Sequence, residues 1–98
     1  MSNADQVAEL VRFKVGDRLF RLVNPAGHEV MREGSWHKTS ISEMREMIGP
    51  AADAALSVAV ITSVRSNRGD AVKIKAHFLG MLRTPGYQQL GFVDVTSN

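Results

Sequence analysis

The sequence has no cysteine. Disulfides, thiolate metal sites and cysteine nucleophiles are therefore excluded, and a reducing, cytoplasmic location is the expectation. Long apolar runs are also missing. The longest candidate, Ala51–Val64, falls short of the ~20 residues that span a bilayer and is interrupted by Asp53, so no membrane segment is expected. The first twelve residues hold two acids, Asp5 and Glu9, and no apolar run, so no secretory signal is expected. Net charge is only +2, from 12 basic against 10 acidic side chains, which excludes a simple polycation. Internal repeats, low-complexity stretches and long linkers are absent. So is any recognisable catalytic or cofactor motif, and a non-enzymatic role with no cofactor is expected.

What remains is a single domain over residues 1–98, long enough for one core. Its pattern reads as α+β. Three runs rich in β-branched and apolar residues, Leu56–Arg65, Ala71–Leu82 and Gln88–Val95, are bounded by turn residues and predict a three-strand antiparallel meander. The loop Ser66-Asn67-Arg68-Gly69-Asp70, with Gly69 left-handed, pairs Val64 with Val72, Thr62 with Ile74 and Val58 with Phe78. Thr84-Pro85-Gly86-Tyr87 fits a type II turn that pairs Phe78 with Val93 and Ala76 with Val95.

Towards the N-terminus, residues 4–11 fit one or two helical turns capped by Asn3. Arg12–Val23 reads as strand, interrupted at Gly16-Asp17. A two-residue turn there pairs Phe13 with Phe20 and Val11 with Leu22. Asn24-Pro25-Ala26-Gly27 makes a type I turn into a second strand, His28–Glu33, with Phe20 opposite Met31 and Arg18 opposite Glu33. Ser40 followed by Glu43 is a capping box, and Ile41, Met44, Met47 and Ile48 recur at helical spacing before Gly49-Pro50 stops the helix. The expected architecture is an N-terminal hairpin, a helix at about 40–48 and the meander. A small, partly open barrel with a helix is the alternative.

The predicted meander has one fully apolar face and one divided face. Ile61, Leu79, Met81, Leu90 and Phe92 form an apolar half, more than one short helix covers, so self-association as a dimer through these residues is the first functional expectation. Arg65, Arg68, Lys73 and Lys75 form a basic cluster, the mark of an anion or nucleic-acid contact, although no aromatic is interleaved with them. His77 and Asp94 fall opposite each other in this register, as a general base and its orienting carboxylate would, or as a plain cross-strand pair. With Trp36 they are the candidates for a ligand pocket or an enzyme site. Trp36 is otherwise read first as a cap on the core below the helix, with a stacking platform or an interface anchor as the alternatives. His28, His37 and His77 lie on separate elements without metal-ligand spacing, so no metal site is expected.

Overall fold

A computed structural model describes residues 8–24 and 27–96, apart from the side chains of Ala8 and Ile41. The expected Asn3 cap, the first part of its helical turn, Pro25 and Ala26 lie outside these residues, as does the Ile41 side chain. The chain is α+β. Four strands come first: β1 (Ala8–Val15), β2 (Arg18–Asn24), β3 (Gly27–Arg32) and β4 (Ser35–His37). Four helices follow: α1 (Ile41–Ile48), α2 (Pro50–Ser66), α3 (Ala71–Leu82) and α4 (Pro85–Gln89). A last strand, β5 (Phe92–Asp94), returns to pair antiparallel with β1. The sheet is open, in the order β4-β3-β2-β1-β5, and is not closed into a barrel.

The N-terminal strands follow from alternation and turn chemistry. Phe13 pairs with Phe20 and Val11 with Leu22, as the Gly16-Asp17 turn requires. Gly16 has φ 62, the positive φ that a hairpin turn needs at its first central residue. The second hairpin differs by one residue from the expected register: Phe20 meets Val30, not Met31, and Arg21 meets Glu29. Its chain then turns again at Glu33-Gly34, with φ 50 and 82, into β4. Positive φ at both central residues twists the strands correctly for a two-residue hairpin. Residues 8–11 are strand, not helix.

The meander is not formed. Residues 50–66 and 71–82 are helices, and only Phe92–Asp94 of the third expected strand is extended. Start signals decide this. Pro50 occupies the first turn of α2, where it lacks an N–H that would have no partner anyway. The alanines at 51, 52, 54 and 55 are the best helix formers available, while each β-branched residue after them costs at most ~0.7 kcal/mol. Buried side chains recur at helical spacing, with Ala52, Leu56, Ala59 and Ser63 on α2 and Ile74, Phe78 and Leu82 on α3. Burying each large apolar side chain among them contributes roughly 1.5–3 kcal/mol, more than the β-branched penalties subtract. The expected hairpin loop is a helix connection. Gly69 is left-handed, φ 68, as required, but Asp70 behind it caps α3 by accepting from Lys73 N at 3.1 Å. Thr84-Pro85-Gly86 likewise starts the short α4, with Pro85 in its first turn, and Gly86 does not have positive φ.

The capping box at α1 forms as its sequence implies: Glu43 N donates to Ser40 Oγ at 3.1 Å, and Ser40 N to the Glu43 carboxylate at 3.0 Å. At Gly49, φ 88, the chain bends by 119° into α2. All helices pack on one face of the sheet. Val11, Phe13, Val15, Phe20, Leu22, Val30 and Phe92 of that face share a core with Met44, Leu56, Ile74, Phe78 and Leu82. Phe13 stands at the centre, its ring 5.6 Å from Phe20, 5.3 Å from Phe78 and 6.3 Å from Phe92. Tyr87 ties α4 down, edge-on to Phe92 and donating its hydroxyl to Ala55 O at 3.0 Å.

Candidate assembly surface

α2 carries apolar side chains on both sides. Its inner side is Ala52, Leu56, Ala59 and Ser63; the opposite side, one half-turn round, is Ala51, Ala54, Val58, Ile61 and Arg65. Val58 is 53% exposed and Ile61 49%. Val64 on the flank of α2 and Val72 on α3 add to the surface, Val72 at 78% exposure. α3 mixes charge into its exposed positions, Lys73 and Lys75 beside Val72, Ala76 and Gly80.

The five residues expected at an apolar interface do not share a surface. Ile61 is exposed on α2 and Leu90 is exposed just after α4. Leu79 and Met81 are half-buried against the core, and Phe92 is buried within it. The expected divided sheet face is therefore absent, because the residues of its first two strands lie on helices and only Phe92–Asp94 of the third is extended. An apolar surplus does exist, at Val58, Ile61 and their neighbours, but on the outside of a helix.

Arg65 lies in the last turn of α2, Arg68 in the connection, and Lys73 and Lys75 in the first turns of α3, all exposed, with the two lysines on opposite sides of buried Ile74. His77 and Asp94 lose their cross-strand relation, since residue 77 is helical. His77 Nδ1 lies 2.9 Å from Asn67 Nδ2, which also donates to Ser63 O at 2.9 Å, so the imidazole helps to tie off the end of α2. Asp94 accepts from Arg83 Nη2 at 2.8 Å and from Thr96 N at 2.9 Å. Partial burial pushes its carboxyl pKa up, but the Thr96 amide and hydroxyl and Arg83 outweigh that and hold it below the usual carboxylate value.

Trp36 caps neither the core nor α1. It pairs with Met31 on the sheet face away from the helices. The guanidinium of Arg21 lies 4.6 Å from its ring centroid and that of Arg12 5.4 Å. Arg21 donates from Nε and Nη2 to Glu29 at 2.9 and 2.7 Å, and Arg12 donates to Glu9 at 2.8 Å. This layer is internally neutralised, which leaves its arginines poorly suited to a phosphate.

One polar group had no signal in the sequence. His28 on β3 points to the helical side, its ring 6.5 Å from Phe20, while Asp53 on α2 is buried and accepts from Arg45 Nε at 3.2 Å. Burial lowers the His28 pKa, and the Asp53 charge opposes that in part. The folded state thus favours the neutral imidazole. Among the described residues, no cluster of three or more His, Asp or Glu is placed to hold a metal ion, and no single helix is long and apolar enough to cross a membrane. Set against protein-family models, curated proteins and solved structures, the chain matches none.

Proposed function

We propose that this is a small binding and assembly domain that associates with a second copy of itself through the outer side of α2. The observation that carries the proposal is the exposure of Val58 and Ile61 on a helix whose other side is already buried in the core. A helix that is apolar all round belongs in an interior. The domain's own sheet is on the far side of α2, so the missing cover is another molecule. A second copy fits because the two ends of the helical layer carry opposite charge. Where α2 begins, Arg32 bridges Glu43 at 3.1 Å and Arg45 bridges buried Asp53 at 3.2 Å, which leaves Glu46; where it ends, Arg65, Arg68, Lys73 and Lys75 stand against Asp70. Ile61→Glu adds a charge to the surface at an exposed position. Sedimentation equilibrium is expected to show a dimer for the parent chain and at least ~10-fold weaker association for the variant, equivalent to ~1.4 kcal/mol. A parent chain that stays monomeric at ~0.5 mM, where any Kd tighter than millimolar is visible, refutes the proposal.

A second reading takes the corner of Arg65, Arg68, Lys73 and Lys75 as an anion or nucleic-acid contact. Its support is that all four exposed cations lie within a few residues of the connection between α2 and α3. Affinity for an oligonucleotide should then fall steeply with salt, with a slope near −0.9 for each phosphate neutralised on duplex DNA. Absence of binding at low salt refutes it.

A further inference from the structure

We infer that the two copies pair with their α2 helices antiparallel, about a two-fold axis that passes at Val58. This arrangement rests on the self-association proposed above and adds its geometry. The outward stripe runs Ala51, Ala54, Val58, Ile61, Arg65, small in its first half and large in its second. Val58 is its midpoint. An antiparallel crossing there puts Ala54 of one copy opposite Ile61 of the other and Ala51 opposite Arg65, so that bulk meets space at each level. A parallel pairing would set Ile61 on Ile61 and alanine on alanine, with a clash at one end and a gap at the other. Interiors tolerate neither overpacking nor voids.

Charge selects the same direction. The antiparallel pair brings the end with Arg65, Arg68 and Lys73 of one copy towards the end with Glu46 of the other; a parallel pair would bring the two basic ends together. The self-complementary stripe satisfies the requirement of a two-fold interface, in which residue i meets j and j meets i. α2 alone is ~25 Å long and ~10 Å wide, less than a standard interface needs. The dimer is therefore a modest one.

The absence of native cysteine permits a direct test by disulfide trapping. Single variants Ala54→Cys, Val58→Cys and Ile61→Cys are made in the full chain, with folding checked by circular dichroism and mass in solution by light scattering. A disulfide needs Cβ atoms within about 4.5 Å, which only a residue on the axis offers to its own copy, so Val58→Cys should link to itself about tenfold faster than either other variant. A mixture of Ala54→Cys and Ile61→Cys should link heterotypically. Raising salt to ~1 M, where screening acts within ~3 Å, should slow both reactions. A dimer in which Val58→Cys does not link, or in which Ile61→Cys links to itself equally fast, overturns the antiparallel axis and leaves self-association standing. Chains that remain monomeric and unlinked overturn both.

Discussion

The two outer surfaces of the domain handle apolar residues in opposite ways. On the sheet face away from the helices, the stems of Arg12 and Arg21 and the ring of Trp36 lie across the strands, and Glu9 and Glu29 neutralise the guanidiniums. Val23 on this face is 2% exposed. Long charged side chains can cover apolar surface while their heads stay wet, and here the chain closes its own face. On the outside of α2 nothing comparable exists. Val58 and Ile61 share their stripe with Ala51 and Ala54, and Arg65, one turn beyond Ile61, is its single long charged side chain. Exposed apolar area argues for a partner only where the chain provides no such cover, which is why the proposed contact is placed on α2.

Both faces hang on one core, so the severest change is Phe78→Ala. The ring touches Phe13 from α3 and its loss should cost ~3–5 kcal/mol. Denaturant unfolding that reports less than ~1 kcal/mol would mean the helices are not docked as described. Next, Glu29→Ala distinguishes the self-covered face. Glu29 is buried and holds Arg21 at 2.7 Å. Removing it leaves a half-buried guanidinium with only Glu9 at 3.6 Å, a loss of about 1–3 kcal/mol. Ile61→Ala on the other face should change the stability of the isolated chain by under ~0.5 kcal/mol. Equal effects would erase the distinction between the surfaces.

A smaller effect concerns pH. His28 has a lowered folded-state pKa, so the unfolded chain takes up its proton first as pH falls. Its contribution to stability is complete above the unfolded value near 6.5 and is lost as pH drops below it. The unfolding midpoint should fall between pH 7.5 and 5.5, and His28→Gln should flatten that slope; an unchanged slope contradicts the burial of His28. Smallest of all, Glu33→Asn at φ 50 should stabilise the β3–β4 turn by a few tenths to ~1 kcal/mol, because asparagine tolerates left-handed backbone better. A lower melting temperature would count against that turn.

The sheet half was largely legible in the sequence. Phe13 opposite Phe20 and the Ser40–Glu43 box follow from local turn and cap chemistry, which leaves few alternatives. The helical half was not, for identifiable reasons. Gly69-Asp70 serves a hairpin or a helix start, and Pro85-Gly86 a type II turn or a first helical turn. α2 carries apolar residues on so many positions that neither a 3.6 nor a 2.0 period stands out, and the β-branched residues from Val58 to Val64 tilt the pattern towards strand. The very feature that hid the helix, apolar residues on both sides, is the one that makes it a surface. Of the candidate site residues, Ile61, Leu90 and the four cations have exposed positions; Phe92 went to the core, and His77 and Asp94 took separate partners.

The central claim is that the outer side of α2 is covered by a second copy. Static light scattering of the unmodified chain from ~10 μM to ~1 mM, a range that brackets a modest dimer, tests it most directly. The mass is expected to rise from that of one 10.7 kDa chain towards twice that value. A mass that stays at one chain throughout contradicts the account.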